Sequence, residues 1–331
     1  MTKAYQVVGI GNALVDVISH VEDEFLAANG VEKGIMTLID KERAVELYGR
    51  MGPAREVSGG SAANTIAGLA ALGARTAYVG KVKDDQLGSI FAHDLRAQGA
   101  RYATPPAPPS HWHETGRCMV LVSPDGERSM STYLGVSEFL APEDIDAAEM
   151  AAAEWIFLEG YRYDGPDSIA AFETAVRATK RAGGKVAITL SDPFCVERHR
   201  DEFLRMIAAD VDLLVANEHE LMSLYRTSDL ETAMARAEAE VPLTACTVGP
   251  KGAHVIGGGE RVHAPATRVE VVDVTGAGDL FAAGFLHGLT SGRDRLTAAR
   301  MGCLAAGEVI SHVGARPEAD LRTLFAEAGL L

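Results

Sequence analysis

The sequence predicts an α/β fold: a doubly wound, mostly parallel sheet covered by helices on both faces, carrying a small β-rich lid. Three observations predict it. From Trp155 onward, short apolar runs alternate with helix-length segments, the pattern of βα units feeding a parallel sheet. Several strand-like runs end in glycine turns that open helices, which places ligands at the C-terminal ends of strands. Cys118 to Val122 and Ser129 to Tyr133, joined by Ser123-Pro124-Asp125-Gly126, form a hairpin, and a hairpin inserted in an α/β chain suggests a lid.

The chain of 331 residues is long enough to bury a substantial core, and 47% hydrophobic with 23% charged residues is ordinary for a globular protein. Its net charge of −15, from 46 acids against 31 bases, argues against nucleic acid as a partner. A small phosphate ligand stays possible, because backbone N–H groups and one or two cations can hold it, often with Mg²⁺ between. Cys118, Cys195, Cys246 and Cys303 form no CxxC pair, which argues against zinc and disulfides and suits a reduced cytoplasm. Met1 to Gln6 leads directly into a strand-like run without a signal-peptide core, and the apolar stretches Ala62 to Ala74 and Leu280 to Leu289 are too short to span a bilayer.

Val7 to Ile10 reads as a buried strand. Gly9-Ile10-Gly11-Asn12-Ala13-Leu14 imitates a dinucleotide fingerprint, but Leu14 replaces its third glycine and Val15-Asp16-Val17-Ile18-Ser19 alternates like a strand where a helix is needed. An NAD-dependent oxidoreductase is thereby disfavoured. Asp16, just past a Gly-Asn turn, suits hydrogen bonding to sugar hydroxyls, and equally a solvated strand position. Glu22 to Asn29 is a short helix, Met36 to Ile39 a short strand, and Asp40 caps a helix through Tyr48. Gly59-Gly60-Ser61-Ala62-Ala63-Asn64 opens an apolar helix through Leu72; the glycines let a ligand approach the backbone, and Asn64 projects from the first turns. Tight helix packing is the other use of such small residues.

Arg75 to Val79 is a strand, and Asp85 leads into a helix ending at Gln98. Thr104 to Ser110 holds four prolines and marks a crossing between substructures. His111-Trp112-His113-Glu114 has the look of a metal cluster, but its i, i+2 histidines in a proline-flanked loop read as exposed side chains.

Beyond Trp155 to Leu158, strands at Val186 to Thr189 and Leu213 to Ala216 alternate with helices over Ser168 to Ala182, near Asp201 to Ala209, and over Glu218 to Tyr225. His199-Arg200-Asp201 imitates a protein-kinase catalytic loop by chance, since Met206 stands in place of its asparagine; Gly80-Lys81 and Gly184-Lys185 lack the Ser/Thr of a Walker A. Asn217 and Glu220 stand three apart at a strand end, where they can cap the helix and also hold a hydrated Mg²⁺ through water. Thr247-Val248-Gly249-Pro250-Lys251-Gly252 is either a wall on which a nucleotide lies or a plain hairpin turn. Leu296 to Ile310 forms a helix, and His312 to Arg316 closes the ordered part.

Asp273-Val274-Thr275-Gly276-Ala277-Gly278-Asp279 follows a strand-like run at Val269, Val271 and Val272 and precedes an apolar helix. The N–H groups of Ala277 and Gly278 lack intrahelical acceptors, and the helix dipole adds positive charge where they point. Asp279 beside such an anion site is either a favourable first-turn acid or a base for a group attacking phosphate.

Taken together, Gly59 to Asn64, Gly80-Lys81-Val82, Asp85 to Gly88, Asn217 to Glu220, Thr247 to Gly252 and Asp273 to Asp279 resemble, in order and spacing, the PfkB (ribokinase-like) small-molecule kinases. The resemblance implies one kinase domain over 1–331, with a lid formed discontinuously by about 12–40 and 110–135, and transfer of the γ-phosphoryl of ATP to an alcohol. It implies Asp279 as catalytic base, Gly276, Ala277 and Gly278 as anion hole, and Asn217 and Glu220 as organisers of Mg²⁺ and phosphate. It further implies Thr247, Gly249, Gly252 and Thr275 on the nucleotide, and Asn12, Asp16, Gly59, Gly60, Ser61 and Asn64 on the acceptor. Four stretches are most similar to adenosine kinases: Gly11 to Asp16, Gly126-Glu127-Arg128-Ser129, Glu159-Gly160-Tyr161 and Leu190 to Phe194. They imply Arg128, Tyr161 and Phe194 on the acceptor, the two aromatics at strand ends where a purine could stack. A nucleoside, adenosine first, is thus the expected acceptor; a sugar is the alternative, and a non-catalytic nucleotide sensor a weaker one. A monovalent cation such as K⁺ near Asp273 and Gly314, a cytoplasmic setting, no membrane partner, and a monomer or lid-mediated homodimer complete the expectations.

Overall fold

The computed structural model describes residues 3–331; Met1 and Thr2, part of the start read as leader-free, lie outside the described residues. Among these residues fourteen strands form two sheets. The strands are β1 Tyr5–Ile10, β2 Leu14–His20, β3 Met36–Leu38, β4 Arg55–Gly59, β5 Thr76–Val79, β6 Arg101–Tyr102, β7 Thr115–Val122, β8 Arg128–Gly135, β9 Ala153–Glu159, β10 Lys185–Thr189, β11 Leu213–Asn217, β12 Thr244–Thr247, β13 Ala253–Gly257 and β14 Glu260–Ala264. The helices are α1 Asp23–Ala28, α2 Lys41–Arg50, α3 Ser61–Ala71, α4 Gln86–Ala97, α5 Ala147–Ala151, α6 Ser168–Arg181, α7 Pro193–Ala209, α8 Glu218–Leu224, α9 Leu230–Glu240, α10 Ala277–Thr290, α11 Arg295–Val309 and α12 Leu321–Glu327.

The larger sheet has the order β14-β13-β12-β11-β10-β9-β1-β5-β6, parallel from β12 to β6 with an antiparallel edge of β13 and β14. Alternation along each strand explains why it is covered twice. Val8, Ile10, Ile156 and Leu158 bury against α6 to α9, whereas Val7, Trp155 and Phe157 bury with α3, α10 and α11. The chain runs outward from β1 through β5 and then, in the other direction, from β9 through β12. The switch point therefore lies between β1 and β9, and a crevice opens at their C-terminal ends, beside Asn12 and Glu159.

The second sheet has the order β3-β8-β7-β2-β4. Within it β4 pairs antiparallel with β2, Leu14 opposite Gly59. Its outer face buries Met119, Leu121 and Tyr133 under Leu26 of α1 and Ala44 and Leu47 of α2. The opposite face carries Cys118, Val120 and Val122.

Three expectations fail. Val269 to Val272 is not a strand: Val271 and Val272 are exposed, and the N–H groups of Val272 and Asp273 donate to Ile310 O at the end of α11, so this segment is tied to a helix terminus. The helix placed near Asp201 to Ala209 begins earlier, at Pro193; Asp192 caps it by accepting from Cys195 N–H, and the chain bends at His199. The ordered chain does not close at Arg316, because α12 follows with Leu321 and Phe325 fully buried.

Candidate active site

Gly276 caps α10 in the left-handed conformation (φ 79°), and a Cβ there would meet Ala315 at 2.8 Å, so both the turn and the neighbouring chain require glycine. Behind it, Gly68 of α3 lies so close to α10 that a Cβ would meet Leu280 at 2.7 Å and Ala283 at 2.9 Å. This close approach carries the first turn of α3 to the first turn of α10. Asp279 there accepts from Ser61 Oγ at 2.6 Å and Asn64 Nδ2 at 2.9 Å, while Thr65 Oγ1 donates to Asp279 O at 3.1 Å. Desolvation pushes the Asp279 carboxyl up to about 6; the two hydrogen bonds and the Arg316 guanidinium oppose the rise. A carboxylate titrating there is ionised at neutral pH and basic enough to take a proton.

Of the anion-hole donors, Gly278 N–H meets no acceptor among the described residues, whereas Ala277 N–H turns back to Val274 O at 3.3 Å. A cavity of about 610 Å³ begins here, lined by Ala277, Gly278, Thr247, Gly249, Gly252 and Phe281 among others. The Thr247 to Gly252 stretch is at once the β12–β13 turn and one wall of this cavity. Thr275 and Asn217 do not line it. Thr275 N–H instead donates to Asp273 Oδ1 at 3.0 Å. Asn217 and Glu220 form a reciprocal cap on α8: Glu220 N–H donates to Asn217 Oδ1, and Asn217 N–H and Nδ2 donate to the two Glu220 oxygens. Glu220 is buried, and desolvation raises it to about 7.

On the other side of Asp279 lies a second set of groups. Asp16 on β2 stands against Gly59, its carboxyl pushed up to about 6 by desolvation and restrained by Arg316 and Arg128. Asn12 and Gly60 touch: a Cβ on Gly60 would meet Asn12 O at 2.2 Å. Arg128 of β8 forms a buried ion pair with Asp273, whose other contacts are the N–H groups of Thr275 and of Gly314 at 2.7 Å. The second sheet is thereby fastened to the loop that precedes α10. Tyr161 follows β9, half-buried, with its hydroxyl 3.4 Å from Ser191 O. Phe194, in the first turn of α7, is 59% exposed and packs in no core.

Three charged groups here were absent from the expected site. Glu159 ends β9, buried, and accepts from Ala62 N–H at 2.8 Å and Asn12 N–H at 3.3 Å; desolvation lifts it to about 7. Arg316 lies under Ala63 and Ser58, donating to both carbonyls, with its guanidinium drawn down to about 10 by desolvation. Arg162 lies behind Asn12. An acid ending a strand at the switch point was a usable signal for Glu159; neither arginine has a local one.

Comparison with known proteins shows the family. Residues 32–321 match the pfkB family carbohydrate kinases. A probable sugar kinase protein from Rhizobium etli has a structure similar to the whole chain, with TM-score 0.96, 47% identity and 100% of both chains covered. The adenosine kinase from Sinorhizobium meliloti is similar at TM-score 0.94 and 48% identity, covering 98% of this chain and 99% of that one. Fructokinase of Escherichia coli is 31% identical over 241 residues, 70% of this chain and 77% of its own. The chain therefore belongs to the PfkB family of kinases and is a phosphotransferase.

Proposed function

We propose that this kinase transfers the γ-phosphoryl group of ATP to the 5′-hydroxyl of a nucleoside, adenosine first. The observation that carries the reading is Asp279, held by Ser61 and Asn64 on one side of the α10 N-terminus while the open cavity lies on the other. The acceptor oxygen attacks the γ-phosphorus, the bond to the β,γ-bridging oxygen breaks, and the hydroxyl proton passes to Asp279 as ADP leaves. Gly278 N–H, with Ala277 beside it, meets the charge that develops on the transferred group. Asn12, Asp16, Gly59 and Gly60 hold the acceptor.

Asn217 and Glu220 already satisfy each other, and no group of three or more His, Cys, Asp or Glu able to hold a metal forms among the described residues. Mg²⁺ would therefore be held through water by Glu220 and Asn217 rather than directly, and would supply neutralisation of phosphate charge. Asp273 is already neutralised by Arg128, so we propose that turnover does not depend on K⁺, and rates in KCl and choline chloride are expected to agree. The lid's outer face is covered by its own α1 and α2, which supports a monomer. A cytoplasmic setting, where ATP is supplied, goes with this reading.

Adenosine is favoured by the 48% identity to the Sinorhizobium meliloti adenosine kinase over nearly all of both chains. A sugar is the second reading, supported by fructokinase of Escherichia coli and by ribokinase of Bacillus subtilis at 28% identity. ADP release measured over adenosine, inosine, guanosine, D-ribose and D-fructose separates them. Efficient turnover of adenosine is expected; efficient turnover of a sugar with little on adenosine would reverse the order.

A further inference from the structure

Arg162 is 1% exposed, and no carboxylate lies within ion-pairing distance of it among the described residues. Burying an unpaired guanidinium is costly unless its protons are used; here both Nη groups find acceptors, while Nε meets none among the described residues. Its Nη1 donates to Asn12 Oδ1 at 3.1 Å and to Ser137 O; its Nη2 donates to Ser168 Oγ at 2.9 Å and Leu140 O at 3.2 Å. Ser137 Oγ donates to the same Asn12 Oδ1 at 2.7 Å.

This arrangement fixes the amide of Asn12. A guanidinium cannot accept a hydrogen bond, so the end of the amide facing Arg162 must be the carbonyl oxygen. Asn12 N–H is taken by Glu159, and Asn12 O accepts from Tyr78 Oη at 2.9 Å. Nδ2 is the one polar atom of Asn12 that makes no hydrogen bond among the described residues. It sits on the residue that touches Gly60, at the switch-point crevice.

We infer that Arg162 is a positioning residue: with Ser137 it locks the Asn12 amide so that Nδ2 is presented as a donor to an acceptor atom, a hydroxyl or ring oxygen or a ring nitrogen, of the phosphoryl-accepting substrate. The inference rests on the acceptor binding at Asn12, as proposed above. It assigns a buried charge that neither the α10 site nor the nucleotide cavity uses.

Two measurements test it, one independent of the substrate. In the first, thermal melting is followed for Asn12→Asp in the wild-type and Arg162→Met backgrounds, with the equally uncharged Arg162→Gln as second background should Met not fold. Aspartate keeps Oδ1 and gives Arg162 a counter-ion, so the expected result is a melting temperature unchanged or raised with Arg162 present and lowered with Arg162 removed. The same sign of change in both backgrounds would overturn the assignment. In the second, Arg162→Lys is assayed with adenosine and, in parallel, D-fructose. KM for the acceptor is expected to rise roughly tenfold with KM for ATP nearly constant, and the rise should vanish in an Asn12→Ala background. An equal rise in KM for ATP, or an undiminished rise beside Asn12→Ala, would mean a merely structural arginine and overturn it. If the unmodified kinase turns over D-fructose and not adenosine, the proposed acceptor fails while the same comparison, run on D-fructose, still decides the role of Arg162.

Discussion

The two sides of Asp279 are built differently. Toward the proposed nucleotide cavity the walls come from the Thr247 to Gly252 turn, the Ala266 to Val274 segment, the start of α10 and one side of α11, and they are largely backbone and apolar side chains. Toward the proposed acceptor the site gathers Asn12, Asp16, Ser61, Asn64, Glu159, Arg162 and Arg316 from segments far apart in the chain, with the charges of Glu159 and Arg162 buried. A nucleotide phosphate is met by N–H groups that any helix N-terminus offers, so a glycine turn suffices. An alcohol must be gripped by side chains whose own positions need fixing, and each fixing group adds a buried charge that must be satisfied.

The contrast can be broken in order of effect. Asp279→Asn, at the boundary, should lower turnover roughly 10²- to 10⁴-fold, as loss of a general base does, with ATP and acceptor binding retained in calorimetry. Arg128→Ala strands the buried Asp273 carboxylate and should cost about 3 kcal/mol in denaturant unfolding, while Arg128→Ala with Asp273→Asn should recover part of that loss. On the nucleotide side the effect should be smaller and confined. Nothing lies within 4 Å of a Cβ built on Gly278, so Gly278→Ala should fold normally and raise KM for ATP roughly tenfold with KM for the acceptor unmoved. Equal changes in both KM values would mean that the two sides are not separable.

The same contrast explains what the sequence made legible. Asp273 to Asp279 and Thr247 to Gly252 are contiguous, and their turn chemistry can be read residue by residue; the alternating strands after Trp155 show on both faces of the sheet as Ile156 against Phe157. Arg316 was read only as part of the chain's ordered end, yet it lies under Ser58 and Ala63 and acts on Asp16 and Asp279. That follows from long-range packing, which no local pattern announces. Val269 to Val272 misled for the opposite reason: its β-branched run is a local signal that a backbone tie to Ile310 overrides. Asp192-Pro193 did carry a helix-start signal, and the bend at His199 divides the helix so that only its second part looked regular. Asp229 and Asp320, each capping a helix through its carboxylate, were equally readable starts.

The central claim is that Asp279 is a base tuned from the acceptor side. With its carboxyl at about 6, the acid form accumulates as pH falls through that value and cannot accept the proton, so kcat/KM should drop below about pH 6. Asn64 donates to the ionised form, so its removal raises the carboxyl further. The direct measurement is the pH profile of kcat/KM for the native kinase and Asn64→Ala with the acceptor that the substrate panel identifies. An acid limb near pH 6 that moves to higher pH in Asn64→Ala is the predicted result; a limb that stays in place, or no limb at all in the native kinase, would contradict it.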